Sequence, residues 1–409
     1  MITTKMKSER ATIIDAIRGF SLLGILLANM LIFQYGMFGE EKLALFPLAT
    51  KLDLFLHQCL TVFVKGSFMP IFMFLFGFGL YKLRESLIRK GYKPWRSLVR
   101  RFLMLAAIGL LHGYLLWEGD ILMAYGVVSF GLLLFLKRKP RTLVIWAVVL
   151  ALLIAALSYG GSNDLFGDNA KINDYVARSI EIYGQGSYSD ILSFRNNEFP
   201  IDIAGGLAVV ILLLTPLMLA PMFLFGIAAA NKGWFENPYS ERRRYRLLAL
   251  ILAPQGILFK GFGVWQEGSG FAGVAGTLGS ILLALAYIFT AAYIFSFLTR
   301  KSVMFKAFEA VGRMSLTNYL MQTVICTTVF YGYGFGLFGK IGILAGILLA
   351  ILIYAAQAAA SMWLLKRFKQ GPVERMLRMW TYFSLGGRIR IKGRQNLNTY
   401  TVAEDHALN

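Results

Sequence analysis

Residues 13–38, IIDAIRGFSLLGILLANMLIFQYGMF, decide the class of this protein. The run is apolar and exceeds the roughly 20 residues that a helix needs to cross the hydrocarbon core of a bilayer. It nevertheless carries Asp15, Arg18 and Asn29. Ionisable groups in a membrane helix are costly and by default mark function or a specific partner. The spacings of the three side chains place them on one helix face, so this helix presents polar groups at two depths.

The whole chain has the composition of a polytopic membrane protein. Of its 409 residues, 57% are hydrophobic and 16% charged, whereas a soluble protein has about 25% charged residues. Ten segments are long and apolar enough to cross a bilayer if the fourth, of roughly 16 residues, is included. The sequence therefore predicts an all-α integral membrane bundle of about ten transmembrane helices. These segments are 13–38, 60–81, 99–117, 121–136, 142–159, 203–230, 247–264, 271–298, 312–335 and 341–365.

Lysine and arginine alternate from loop to loop in a way that predicts the orientation. The basic loops are 82–101, 137–141, 231–246 and 300–313. The loops between them are acidic or neutral. Basic loops stay inside, so we expect both termini in the cytoplasm. The net charge of +20 then reflects this topology and contact with anionic membrane lipids, and we expect no nucleic-acid partner.

The longest polar interval divides the chain. We predict a five-helix block at 1–159, an extracytoplasmic loop at 160–200, a second five-helix block at 201–387 and a cytoplasmic tail at 388–409. The loop contains aromatic and aliphatic residues, so we expect short helices over the outer face. It is either a spacer between the blocks or a lid over an outward cavity.

A histidine and a carboxylate share the motif LLHGYLLWEGDILMAYG. His112 lies near the outer end of one predicted helix, and Asp120 lies in the tight turn that follows. A histidine oriented by a carboxylate is the minimal unit of general-base catalysis. The alternative is a hydrogen-bonded packing residue. His57, before the second predicted helix, is either a second candidate base or an interfacial residue.

Cysteine and histidine usage argues against a metal centre. The two cysteines show no CxxC or Cys/His spacing, and there are three histidines in all. We therefore expect no metal site and no tightly bound cofactor.

A polar stripe begins the ninth predicted helix, GRMSLTNYLMQT. Ser315, Asn318 and Gln322 are spaced three and four apart and so share one helix face. The stripe either joins two helices by hydrogen bonds or lines a polar cavity with the first helix. We favour the cavity, which Gln357 on the last helix could join.

Several separated motifs of the chain resemble the YeiB-like bacterial membrane proteins. The motifs span nearly the whole chain in order. The resemblance implies a location in the bacterial cytoplasmic membrane. The C-terminal half of these proteins is catalogued as a domain of unknown function, so the resemblance implies little about activity. The motifs are DAIRGFSLLGILLAN, FLFGFGL, LLHGYLLWEGDILMAYG, GRMSLTNYLMQT and GPVERMLRMWTYF.

The first eighty residues are also distantly similar to the transmembrane acyltransferases. The similarity lies in D-x-x-R-G at 15–19, in Asn29, in His57 and in an aromatic, glycine-rich helix after Pro70. This group includes the enzyme that N-acetylates heparan glucosamine from acetyl-CoA. The resemblance implies that Asn29 and His57 act at the acceptor amine.

The leading hypothesis is a membrane acyltransferase that moves an acyl group from a cytoplasmic donor such as acyl-CoA to an outward acceptor hydroxyl or amine. His57 or His112 would act as general base, and Asn29 would stabilise the oxyanion. The expected partners are membrane lipids and an acyl-CoA or lipid ligand, and a homodimer is left open. The expected donor path contains Asp15, Arg18, Ser315, Asn318, Gln322 and Gln357.

Two other classes of protein use the same polar path. A transporter or channel for a small solute or lipid is the main alternative. Broken helices would support it, and the sixth and seventh segments contain Pro216, Pro221 and Pro254. A sensor or scaffold that binds lipid without turnover is the third option.

Overall fold

The computed structural model describes residues 2–46, 50–160, 169–198, 200, 205–266, 268–299 and 301–385, with the side chains of 2–11, 169 and 205–216 left out. The predicted tail 388–409 and residues 161–168 of the predicted loop lie outside this part. The described residues contain helices and turns and no strand. The helices are α1 (Ile2–Tyr35), α2 (Lys51–Phe63), α3 (Phe68–Arg89), α4 (Pro94–Leu115), α5 (Leu122–Leu132), α6 (Pro140–Leu157), α7 (Asn169–Gln185), α8 (Tyr188–Asn197), α9 (Gly205–Asn231), α10 (Arg242–Trp265), α11 (Phe271–Phe297), α12 (Val303–Arg313), α13 (Ser315–Phe330), α14 (Ile343–Arg367) and α15 (Pro372–Tyr382).

Seven helical stretches within the described residues are long and apolar enough to cross a membrane. The protein is therefore a multi-pass helical membrane protein, whereas ten crossings and cytoplasmic termini stay predictions. Three of the predicted segments, 121–136, 203–230 and 312–335, are not among the seven. The first of the three contains α5, whose 11 residues extend about 16 Å at 1.5 Å per residue, roughly half the thickness of the hydrocarbon core. The seven are 12–35, 51–89, 94–115, 140–157, 242–265, 271–297 and 343–367.

Helices α4 and α5 form a tight hairpin because glycine lets their backbones touch. A Cβ atom on Gly109 would lie 2.0 Å from the backbone nitrogen of Met123, and one on Gly126 would lie 2.7 Å from Cβ of Ala106. Small residues permit such close helix pairs in membranes. The hairpin brings residues 117–121, in its turn, back beside the end of α4.

Glycines also set the crossing of α1 with α12. A Cβ atom on Gly19 would lie 2.0 Å from the carbonyl oxygen of Phe308, and one on Gly312 would lie 1.7 Å from that of Asp15. Because α1 and α12 belong to different predicted blocks, the two blocks share one continuous core. The division into blocks itself stays a prediction.

The two ends of the bundle differ in charge. We call the end that holds the loops 90–93, 137–139 and 232–241 the basic end, and the other the opposite end. The segment after Gly371 forms α15 at the basic end. At the opposite end α7 and α8 confirm the short helices predicted between residues 160 and 200.

Candidate functional site

A cavity of about 370 Å³ opens near the basic end, where α1, α3, α4, α12 and α15 meet. Its lining holds one carboxylate and four guanidinium groups. Guanidinium groups bind phosphate and carboxylate in a bidentate manner, so the cavity favours an anion. The charged lining residues are Arg18, Arg101, Arg313, Arg378 and Glu374.

The predicted pair on the first helix is present at the wall of this cavity. Nη1 of Arg18 donates a hydrogen bond of 2.7 Å to Oδ1 of Asp15, and both side chains are about four-fifths buried. Arg18 itself lines the cavity beside Gly79, where a Cβ atom would come within 3.9 Å of the guanidinium. The pair neutralises Asp15 and leaves part of the guanidinium facing the cavity.

Arg101 differs from the other cavity arginines. Within the described part of the chain, it makes no hydrogen bond or ion pair. It extends from the first turns of α4 into the cavity. A half-buried guanidinium without a counter-ion is costly, so an anionic ligand would stabilise it.

The cavity becomes apolar away from the arginines. Its inner wall includes Phe72, Leu122 and Tyr125, which it shares with a small apolar pocket of about 20 Å³. Tyr319 of α13 also lines this pocket. The arrangement suits an amphiphile with its anionic head at the basic end and its apolar end beside Tyr319.

His112 and Asp120 form a buried dyad next to this pocket. Nδ1 of His112 lies 2.8 Å from Oδ1 of Asp120, and the two side chains are 2% and 4% exposed. Oδ2 of Asp120 accepts a further hydrogen bond from the backbone of Met123 at 3.0 Å. A carboxylate at Nδ1 favours the tautomer that leaves the lone pair on Nε2. The ring of His112 packs 5.5 Å from that of Tyr319, centroid to centroid, so one aromatic side chain separates the dyad from the pocket.

Unpartnered polar atoms cluster around the dyad. The described residues include ten buried side-chain polar atoms without a hydrogen-bond partner, and five of them belong to the hairpin and the helix above it. Such atoms are rare in native proteins and are usually met by water or a bound group. The cluster therefore indicates a place for polar atoms that do not belong to the protein. The five atoms are His112 Nε2, Trp117 Nε1, Glu118 Oε2, Tyr125 Oη and Arg195 Nε.

Helices α7 and α8 close the dyad off from the opposite end. Arg195 donates to the carbonyl oxygens of Leu116 at 2.9 Å and Tyr114 at 2.5 Å. Tyr183 donates to Oε1 of Glu118 at 3.0 Å. These bonds satisfy carbonyl groups at the end of α4 and fix α8 over the hairpin turn. Of the two roles considered for the 160–200 interval, they favour a lid over a plain spacer between the helix blocks.

The polar stripe of α13 does not line the cavity, apart from Ser315. Gln322 donates to the side chain of Gln357 at 3.0 Å, and Gln357 donates to the carbonyl oxygen of Asn318 at 2.9 Å. Asn318 also donates to Ser361 at 3.0 Å. The expectation that Asn318, Gln322 and Gln357 face a cavity is corrected, because α14 packs against their side of α13. They join two helices instead.

Asn29 and His57 do not line the cavity either. Asn29 is buried on α1, eleven residues beyond Arg18 or about 16 Å along the helix. His57 lies within α2, not before the second helix as predicted, and lines a separate cleft at the opposite end. The structure therefore places His57 and the dyad of His112 in different cavities.

The site also contains residues that the sequence did not single out. In the sequence, Arg101, Arg313 and Arg378 could not be told apart from the basic residues near them. Glu374 could have been predicted to lie in a first helical turn, because an acid after Gly371–Pro372 is typical of one. The sequence does not indicate which other helix its carboxylate would contact.

The fold and the cavity define a multi-pass helical membrane protein with a basic, amphipathic cavity. The chain belongs to the YeiB-like family. It is 33% identical over 392 residues to the uncharacterized protein YxaH of Bacillus subtilis (strain 168), covering 93% of this chain and 96% of that protein. It is 29% identical over 398 residues to the uncharacterized protein YeiB of Escherichia coli (strain K12), covering 93% and 98%.

The other comparisons agree with this family and assign no activity to it. Residues 229–384 match the family described as "Protein of unknown function (DUF418)". An uncharacterized 39.9 kDa protein from the amylase 3' region of Bacillus acidopullulyticus is 25% identical over 394 residues, covering 91% of this chain and 94% of that protein. No solved structure gives a significant match.

Proposed function

We propose that this protein is a membrane-embedded acyltransferase that uses a cytoplasmic acyl donor of the acyl-CoA type. The observation that carries the proposal is the connection of three features. Arginines surround the mouth of the cavity, an apolar wall leads inward, and Tyr319 joins that wall to the His112–Asp120 dyad. The basic end is then the cytoplasmic end, in accord with the positive-inside rule.

The arginines account for the donor's head group. Coenzyme A carries phosphate groups, and Arg101 has the guanidinium that lacks a partner among the described residues. Arg313 and Arg378 lie nearer the surface and would add positive charge at the mouth. The apolar wall would take the acyl end, which places the thioester beside Tyr125 and Tyr319.

The dyad supplies the chemistry of transfer. Nε2 of His112 takes the proton from the acceptor's hydroxyl or amine as its oxygen or nitrogen attacks the thioester carbonyl. The new acyl bond forms, the carbon–sulfur bond breaks, and the thiolate leaves with the proton that His112 returns. Asp120 holds the ring in position and stabilises the imidazolium. A base in this role contributes about 10² to 10⁴-fold to the rate.

The acceptor's route depends on α7 and α8. An outward acceptor reaches His112 only if α8 lifts from the hairpin turn, because Arg195 and Tyr183 close that side. The lid would also keep water from the thioester, which limits wasteful hydrolysis.

The transporter has less support. Helices α9 and α10 run without interruption through Pro221 and Pro254, so the broken helices that would favour transport are not seen there. Transport of a solute or lipid is retained as an outcome of the test below, as is a scaffold that binds a ligand without turnover.

The proposal is tested with purified protein in lipid nanodiscs and radiolabelled acetyl-CoA. We expect saturable binding and slow release of labelled acetate or transfer to an added amine. Asp120→Asn should keep binding and lower the rate by about 10² to 10⁴-fold. Arg101→Gln should weaken binding, whereas Arg89→Gln, the same change on an exposed arginine at the same end, should not.

Two results would reject acyl transfer. One is the absence of saturable coenzyme A binding in wild type at about 1 mM, a concentration at which even weak specific ligands bind. The other is binding with no turnover above that of Asp120→Asn, which would indicate a scaffold. Ligand flux into liposomes without acyl transfer would indicate a transporter.

A further inference from the structure

A second cleft, of about 390 Å³, lies at the opposite end of the molecule. It shares no lining residue with the cavity of the basic end. Its size falls within the range of small-molecule sites. Its lining combines polar and charged residues, which we call the polar wall, with leucine and alanine residues, which we call the apolar wall, and α7 contributes Asn173. The lining residues are Glu40, Glu41, Lys42, Leu43, Ala44, Leu45, Leu54, His57 and Asn173.

Two residues of the polar wall have buried atoms that lack a partner. Glu40 is 6% exposed, and its Oε2 has no hydrogen-bond partner among the residues that the structure describes. Nε2 of His57 is likewise buried and unpartnered. A buried polar atom without a partner costs free energy, and two such atoms in the wall of one cleft point to a ligand that supplies the missing hydrogen bonds.

The charges around the cleft favour a neutral ligand. Nζ of Lys65 lies 3.0 Å from Glu40 and 2.8 Å from Glu41, so one ammonium pairs with both carboxylates. Lys42 also lines the cleft, so the two carboxylates and the two ammonium groups balance in formal charge. A cation would find both carboxylates already paired with Lys65, and a fully ionised anion has no hydrogen to donate to Glu40 or His57.

A hydroxyl group meets these requirements. Burial raises the pKa of Glu40, and a hydroxyl, which both donates and accepts, pairs with the protonated and the ionised carboxyl. The apolar wall of Leu43 and Leu54 would contact carbon-bound hydrogens. A neutral ligand with several hydroxyl groups on a carbon frame combines both properties.

We propose that this cleft binds a neutral polyol, with hydroxyl groups on Oε2 of Glu40 and Nε2 of His57. The proposal does not rest on acyl transfer, because it uses none of the residues of the basic cavity. It assigns His57 a binding role and Glu40 the main recognition role.

The test is isothermal titration of the purified protein with D-glucose, in nanodiscs or a zwitterionic detergent, since detergents with sugar head groups would compete. We expect saturable binding in the millimolar range. His57→Phe keeps an aromatic ring but removes Nε2, and Glu40→Gln removes the charge. Each should weaken binding at least tenfold. Glu85→Gln is the matched control, because Glu85 pairs with Lys82 elsewhere.

Three results would overturn the proposal: no saturable glucose binding up to about 50 mM by folded wild-type protein, tighter binding of ethylammonium or acetate than of glucose, or unchanged affinity in His57→Phe. If Glu40→Gln does not fold, His57→Phe decides alone. His57→Phe should leave coenzyme A binding at the basic end unchanged, so failure here and failure of acyl transfer are told apart.

Discussion

The hydroxyl of Thr317 donates a hydrogen bond of 2.6 Å to Oε2 of Glu374. Oε1 of the same carboxylate accepts from the backbone of Leu316 at 2.7 Å and of Thr317 at 3.0 Å. The first turn of α15 therefore caps the first turn of α13, where backbone N–H groups have no partner within the helix. Since α15 also forms part of the cavity wall, this contact fixes the position of that wall.

Replacing Glu374 should weaken the attachment of α15 to α13. In Glu374→Ala we expect the free energy of unfolding to fall by about 0.5 to 2 kcal/mol, as for other lost helix caps. Hydrogen exchange should quicken over α15 and the first turn of α13 but not over α7 and α8. Glu85→Ala is the control, because Glu85 pairs with Lys82 at 2.9 Å within α3, well inside that helix. Equal protection of α15 in wild type and Glu374→Ala would contradict the cap.

The crossing of α1 and α12 should not tolerate a methyl group. A Cβ atom on Gly312 would lie 1.7 Å from a backbone oxygen of α1, so Gly312→Ala forces the helices apart and should lower stability by more than about 1 kcal/mol. Gly261→Ala, on α10 with no atom within 4 Å of the added Cβ, should be neutral or stabilising by up to about 1 kcal/mol. Denaturation midpoints in detergent provide the comparison. Similar midpoints for the two variants would argue against a tight crossing.

The polar contacts between α13 and α14 should matter for stability but not for ligand binding. Gln357→Leu removes the partners of Gln322 and of the Asn318 carbonyl. We expect a cost of about 1 to 3 kcal/mol from these unpaired groups and an unchanged affinity for coenzyme A. Ala356→Leu introduces the same side chain on the exposed face of α14 and should be nearly neutral. A tenfold weaker affinity for coenzyme A in Gln357→Leu, but not in Ala356→Leu, would indicate that Gln357 and its partners line the cavity.

The start of α8 should be sensitive to acid. Asp190 accepts hydrogen bonds from the side chain and backbone of Ser187, and the Ser187 side chain, more than the backbone, lowers the pKa of Asp190 below 3.8. The pKa of Asp190 in the folded protein lies below its pKa in the unfolded chain. Its contribution to the stability of α8 is therefore present above pH 3.8 and is lost as the pH falls through the folded-state pKa. We expect protection factors over α8 to be constant from neutral pH to about pH 4 and to fall below it.

Ser187→Ala provides the control for this pH dependence. It removes the capping box, so protection over α8 should be lower at neutral pH and should lose most of its dependence on acid. An equal acid response in Ser187→Ala and wild type would assign the effect to another group.

Local features were predictable because they depend on neighbouring residues. The ion pair of Asp15 with Arg18 follows from a spacing of three on a helix, and the aromatic and aliphatic residues of the 160–200 interval predicted the helices α7 and α8. The closeness of His112 and Asp120 followed from a short turn between two apolar runs. These predictions needed no knowledge of distant contacts.

Another prediction failed where distant segments decide the outcome. Spacing put Asn318 and Gln322 on one face of α13, but it could not say that their side chains bond to Ser361 and Gln357 of α14. A membrane crossing by residues 121–136 stays a prediction, and the helix found there, α5, has 11 residues.

The sequence alone determined that this chain is a helical membrane protein. The length of each apolar segment and the charge of each loop are local properties, and they decide segment by segment what can cross a bilayer. Only the tertiary structure decided which polar groups meet. It brought Arg101, Arg18 and Glu374 from three separate helices to one cavity, and it set Tyr319 between that cavity and His112. The physical reason is that glycine contacts fix how helices cross, and each crossing pairs residues whose separation in the chain carries no such information.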